Sequence, residues 1–328
     1  CGVCNPCCGS GCVVVFAPPA QSGVPRLSVQ PEVAAAKGLA TGLLLAVVGA
    51  IAFSGKAIIV KLAYRHGVDP VTLIMLRMGV ALPFFIVMAA WGGRGRSTLT
   101  RRELLACAAL GFNGYYLSSF LDFVGLQHIS ASLERLILYL TPSLVMLISW
   151  LLFRQRASGR QWSALALGYG GLLLVFGHEL HLDGPRVAWG AVLVFASALS
   201  YASYLVGSGR VVAAIGSLRL TGLASAVASG LCLAQFALLR PFGSLASVPD
   251  AVWWLSLLNG TLCTVLPVWL VMAGIERIGA ARAAQYGMVG PVSTIVLGVL
   301  LLGEPFTGWV AAGSACVLLG VTLLSRAR

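Results

Sequence analysis

Gly125-Leu-Gln-His-Ile-Ser-Ala131 and Gly274-Ile-Glu-Arg-Ile-Gly-Ala280 are one phrase written twice, 149 positions apart. At the same offset Pro142 meets Pro291, Gly171 meets Gly320 and Lys61 meets Arg210. Each phrase runs into a long apolar stretch, so the chain reads as two homologous halves that meet near His181–Arg186.

Working outward from this pair, ten segments have about the 20 mostly apolar residues that a membrane-spanning helix requires. They are Leu39–Leu62, Val71–Trp91, Leu104–Leu126, Ala131–Phe153, Trp162–Phe176, Val187–Gly207, Leu218–Leu239, Val252–Gly274, Ala281–Leu302 and Thr307–Leu324. Five segments per half is an odd number, so the second half must enter the membrane with the opposite orientation. Loop chemistry agrees. Arg154-Gln155-Arg156 is basic where its counterpart Gly303-Glu304-Pro305 is not, and Gln127-His128 is neutral where Glu276-Arg277 is charged. The predicted fold is an all-α integral membrane protein with ten transmembrane helices arranged as two inverted five-helix repeats, residues 38–180 and 186–325, after a Cys- and Pro-containing disordered tail, residues 1–37. Inverted repeats are a recurring construction of secondary transporters, whose substrates bind near the midplane between the halves.

Composition supports lipid as the main solvent. Of 328 residues, 59% are hydrophobic and 10% charged, whereas soluble domains carry about 25% charged residues. Mean hydropathy is +0.92. A net charge of +12 in a soluble protein would point to nucleic acid. Here fifteen basic residues fall on one face of the predicted topology and four on the other. That bias places both termini in the cytoplasm of a cell-membrane protein and removes the need for a nucleic-acid partner. Trp91, Trp162, Trp189, Trp253 and Trp309 lie near segment ends, as interfacial tryptophans do. Apart from the tail, no loop much exceeds a dozen residues, so function must reside in the bundle.

Five of nine cysteines (Cys1, Cys4, Cys7, Cys8, Cys12) crowd the N-terminus. Their C-x2-C spacing suits zinc or an iron–sulfur cluster, but no second ligand pair follows, and no metal or other cofactor is expected. The apolar run Val13–Ala17 is too short for a signal peptide. His178-Glu179-Leu-His181 with Asp183 is read as a solvated polar turn rather than a metal site. There is no phosphate-binding loop, dinucleotide fingerprint, zinc-protease motif or nucleophile elbow, so the chain is not expected to be an enzyme.

The stretch Ser118-Ser-Phe-Leu-Asp-Phe-Val-Gly-Leu-Gln-His-Ile-Ser-Ala-Ser-Leu-Glu-Arg-Leu-Ile-Leu-Tyr-Leu-Thr-Pro142 resembles the third-to-fourth helix junction of the EamA family of the drug/metabolite transporter superfamily. Ala280–Pro291 followed by Leu302-Gly303-Glu304 resembles the matching junction of the second half, and Arg77 in Leu-Arg-Met resembles an Arg of the family's second helix. The resemblance spans Gly38–Leu324. It departs at Gln155, where many members carry Glu. It implies a ten-helix transporter fold and transport of small metabolites.

Charges inside spans are costly and usually face a cavity or a partner. Lys56, Arg77, Asp122, Glu134 and Arg135 form that set, with Asp122 and Glu134 expected nearer the surface than the two others placed by depth, Lys56 and Arg77. Tyr116, Tyr139, Asn259, Trp269, Gln285 and Tyr286 extend the candidate substrate pathway along the third, fourth, eighth and ninth segments. Pro142 and Pro291 are the matched helix kinks, because proline removes a backbone hydrogen bond. The reading is a secondary transporter of a small polar metabolite (an amino acid, amine or related compound, export included) working by alternating access. A proton is the simplest coupling ion, since Asp122 and Glu134 are the acids inside spans. A membrane-embedded enzyme and a non-transporting receptor or scaffold are the alternatives. Oligomeric state is left open.

Overall fold

The computed structural model describes residues 30–153, 159–278 and 289–326. Helices account for nearly all of them: α1 Gln30–Tyr64, α2 Pro70–Gly92, α3 Arg101–Gly111, α4 Ser118–Leu126, α5 Ala131–Leu138, α6 Thr141–Phe153, α7 Gly159–Asp183, α8 Pro185–Ile215, α9 Ser217–Leu239, α10 Asp250–Gly260, α11 Leu266–Ile278, α12 Val289–Leu297 and α13 Gly308–Arg326. Among the described residues, eight helical stretches are long and apolar enough to cross a membrane, and Val289–Leu302 and Gly308–Leu323 are shorter apolar helices. Large apolar side chains such as Leu44, Phe84, Leu151 and Leu300 stand exposed on the outside, as do the five tryptophans named above. In water such a surface would aggregate; against acyl chains it is the solvated face.

Local chemistry sets the helix boundaries. Asp69 accepts hydrogen bonds from the amides of Val71 and Thr72, and Pro70 occupies the first turn of α2, where its missing N–H costs nothing. Thr100 and Glu103 form a reciprocal capping box on α3. At Pro142 the fourth segment breaks into α5 and α6. The proline has no N–H for the carbonyl of Leu138, and the hydroxyl of Thr141 donates to that carbonyl instead, at 2.5 Å.

Among the described residues there are three wide π-helical turns: Gly298–Leu302 after α12, and a matched pair, Phe112–Leu117 between α3 and α4 and Thr261–Val265 between α10 and α11. Their first residues are 149 apart, the repeat offset. Helix contacts recur in exchanged form at the same offset. A methyl group on Gly171 would lie 2.6 Å from the carbonyl oxygen of Gly313, and one on Gly320 would lie 2.7 Å from that of Ala164. Gly114 abuts the ring of Tyr204, and Gly55 abuts the Sγ of Cys263. In each pair, adding 149 to one partner and subtracting it from the other converts one contact into the next. Close packing of small residues is thus specific to certain crossings. Gly222 meets the backbone of Phe85 and Ala89, whereas a methyl on Gly230 would meet open space, although the sequence places both in one small-residue stripe.

One expectation is overturned. Residues His178–Asp183 form no polar turn: α7 continues through them, and Glu179 is buried.

Candidate functional site

Helix register brings the charged residues together. Lys56 on α1 points inward with its Nζ 2.6 Å from Oδ2 of Asp122 on α4 and 3.5 Å from Oε1 of Glu134 on α5. Asp122 is 2% exposed and Glu134 0%, so both acids lie as deep as the lysine rather than nearer the surface. Beyond the single hydrogen bond from Lys56, Oδ1 of Asp122 and both carboxylate oxygens of Glu134 have no hydrogen-bond donor among the described residues. One ammonium is therefore shared by two carboxylates that still have accepting capacity.

Arg135 is held differently. Its Nε donates to Oγ1 of Thr294 on α12 at 2.9 Å and its Nη2 to the carbonyl of Phe53 on α1 at 3.2 Å. The guanidinium also lies over the Phe53 ring, which Lys56 approaches too. Ser54 reinforces this junction by donating to the carbonyl of Gly290 at 2.7 Å. Arg135 thus ties the first half to the second at a buried crossing.

Arg77, two turns into α2, is 6% exposed and stacks its guanidinium on the Phe123 ring at 4.9 Å from the ring centre. Among the described residues one weak contact from Nη2 to Sδ of Met78, at 3.6 Å, is its hydrogen bonding, and Nε and Nη1 have no partner. Across from it, Gly260 of α10 packs on the carbonyl of Arg77. The preceding residue, Asn259, is 0% exposed, with neither side-chain amide atom partnered among the described residues. The cluster linked by these contacts carries three cations (Lys56, Arg77, Arg135) and two carboxylates (Asp122, Glu134).

The other pathway candidates divide. Tyr116 lies beside Phe112 and Phe120 and packs against a core that includes Phe123, Cys232 and Phe236. Tyr139 sits half-buried in the break between α5 and α6. Trp269 is 56% exposed, on the outside of the bundle. Gln285 and Tyr286 fall outside the described residues, as does the chain before Val289 on which the kink expected at Pro291 depends; Pro291 itself is buried, the third residue of α12. Asn113 is satisfied by Ser200, donating to its carbonyl at 3.1 Å and accepting from its hydroxyl at 2.8 Å, an interhelical fastening.

Two acids missed in the sequence complete the surroundings at the start of α5. Ser130 caps this helix by accepting from the amide of Leu133, and it donates its own hydroxyl to Glu179 of α7. Glu304, on the connection after α12, accepts from the amides of Ala131 and Ser132 at 2.7 and 3.2 Å and from the Ser132 hydroxyl at 2.7 Å. A carboxylate is favourable there because the first amides of a helix lack internal acceptors. Beside it opens a pocket of about 340 Å³ lined by Lys61, Tyr64, Arg65, Leu126, Gln127, Leu302 and Glu304. Tyr64 forms part of its floor and donates to the carbonyl of Phe123 at 2.6 Å. Lys61 is five residues beyond Lys56 on α1, so the pocket lies about 7 Å further along the helix than the buried cluster.

The model of the EamA-like transporter family matches the chain twice, over residues 40–177 and 188–326. An uncharacterized transporter of Bacillus subtilis, YcbK, is 31% identical over 270 residues, which cover 81% of this chain and 86% of the relative. A second from the same organism, YetK, is 24% identical over 283 residues, covering 85% and 86%. A protein of known crystal structure matches with a TM-score of 0.58 at 18% identity, over 86% of this chain and 96% of its own, and so shares the fold.

Proposed function

The chain belongs to the EamA-like transporter family, and from that premise we propose that it is a secondary transporter that moves a small polar metabolite across the cell membrane by alternating access. The observation that carries this reading is the buried cluster itself. Three cations and two carboxylates are enclosed in an apolar bundle, with several of their polar atoms unpartnered among the described residues. Such atoms are costly to bury. A protein that only needed stability would satisfy or replace them.

The ten apolar segments are ten spans in this proposal, with both termini cytoplasmic and the halves inverted. The exchanged contacts of Gly171 with Gly313 and Gly320 with Ala164 support a two-fold axis between the halves, which produces that exchange, and five spans per half, an odd number, make it an axis that inverts the second half. The matched π-helical turns at Phe112 and Thr261 support it too. The two halves rock about the buried cluster, and the pocket beside Glu304 is the mouth on the non-cytoplasmic side.

Transport is coupled to protons through Asp122 or Glu134. These acids share Lys56 and retain accepting oxygens, so a proton has a place to sit there. The decisive experiment is substrate-dependent flux by the purified protein in sealed proteoliposomes, screened over amino acids, amines, sugars and nucleotides. Accumulation across the sealed bilayer is the expected result. Chemical conversion of a compound, or binding with no flux, would replace transport by the enzyme or receptor reading.

A further inference from the structure

We infer that the transported molecule carries a carboxylate, which docks on Arg77 and Asn259. The inference rests on the transport reading and deepens it. Lys56 is committed to Asp122 and Glu134, and Arg135 to Thr294 and the Phe53 carbonyl. Arg77 is the least satisfied of these three cations: among the described residues it has no ion pair and no acceptor for Nε or Nη1, and Nη2, which completes a two-donor edge with either of them, has only the weak Met78 contact. Two parallel N–H donors on such an edge match the two oxygens of a carboxylate. The Phe123 ring beneath it fixes the plane of the fork. Asn259, on the helix that packs against the Arg77 backbone, supplies a further unpartnered amide donor in a fully buried position.

Charge balance points the same way. The linked cluster holds one more cation than carboxylates, and a single negative charge on the ligand completes it. The approach is suited to an anion as well. The pocket about 7 Å beyond the cluster presents Lys61 and Arg65, while its one carboxylate, Glu304, is occupied by the α5 amides. A basic mouth raises the local concentration of anions. An amine would have to pass this mouth and then compete with Lys56 for the acids.

The test uses the full chain in lipid nanodiscs. Binding is measured by thermal stabilisation and titration calorimetry with a panel of amino acids and simple mono- and dicarboxylates, each paired with its neutral amide. The expected result is stabilisation by one or more carboxylates, with the paired amide binding about 10- to 100-fold more weakly, the loss of a charge-assisted pair. Arg77→Lys should keep weak binding and Arg77→Gln should abolish it, both judged on protein that unfolds cooperatively. Should neither variant fold, the acid-against-amide comparison on the parent protein decides alone. Equal binding of acids and amides overturns the inference. So does stabilisation by amines with no carboxylate, or the absence of any carboxylate ligand at millimolar concentration. Failure of the transport reading looks different: carboxylates bind in an Arg77-dependent way, but no flux follows in sealed vesicles.

Discussion

Replacing Lys56 with Met removes an ammonium while keeping most of the apolar stem. At an effective dielectric of about 20, a unit charge 2.6 Å from Asp122 is attracted by about 6 kcal/mol, and one 3.5 Å from Glu134 by about 5 kcal/mol. Desolvation of three buried charges cancels most of that attraction, so the cluster adds little net stability when intact. Breaking it is another matter, because both carboxylates then lie buried without their nearest counter-charge. Removing one partner of a buried pair costs about 3–5 kcal/mol. Lys56→Met should lower the unfolding free energy by that amount, read from reversible denaturation in mixed micelles by the fluorescence of the eight tryptophans. The triple variant Lys56→Met, Asp122→Asn, Glu134→Gln should recover most of the loss, since it removes all three charges together. A single variant within about 0.5 kcal/mol of the parent, or a triple variant no more stable than the single, would refute the shared-ammonium account.

Gly171→Val and Gly320→Val should each cost at least about 1–3 kcal/mol through overpacking, whereas Gly230→Val should be tolerated; the same unfolding assay ranks them. Partial burial alone would raise the carboxyl pKa of Asp69, but hydrogen bonds from the side chain and amide of Thr72 and the charge of Arg240 outweigh it and hold the carboxyl below its usual value. A depressed pKa means that its contribution is fully present above about pH 4, the unfolded value, and is lost as pH falls through the lower folded value. Asp69→Ala should therefore cost about 1 kcal/mol at pH 7 and nothing in strong acid, measured by unfolding at several pH values. Asp122→Asn or Glu134→Gln should make flux in liposomes indifferent to an imposed pH gradient, while a parent protein already indifferent to it would end the proton-coupling proposal. Single cysteines at positions 154 and 181 should react with an impermeant thiol reagent from opposite sides of the membrane; labelling from one side would mean that the span count between them is wrong.

The helices were legible because lipid imposes a length and a composition on every span, and both survive in one dimension. Pro142 was legible as a break for a related reason: a missing N–H acts on the local backbone whatever surrounds it. The grouping of Lys56, Asp122 and Glu134 was visible as a set of costly charges, but which charge meets which depends on helix rotation, and the unmet donors of Arg77 emerge only in three dimensions. Glu179 was read as solvated and Glu304 was given no role, because an acid at a segment end is ordinarily solvated. Their partners are the amide and hydroxyl of Ser130 for one, and the amides of Ala131 and Ser132 with the Ser132 hydroxyl for the other. These groups belong to a helix start that no spacing rule links to positions 179 or 304. Trp269 was assigned to the pathway from residue type, yet its register turns it outward.

The seat of Glu304 on the first amides of α5 has a consequence for how that mouth would open. Those two N–H groups have no acceptor within their own helix, so separating the halves at this point strands them and the carboxylate at once. Water satisfies all of them; an acyl chain satisfies none. Wetting of the crevice and parting of the halves would therefore be a single event, and a lipid tail that slipped into the gap would act as a wedge that cannot hold it open.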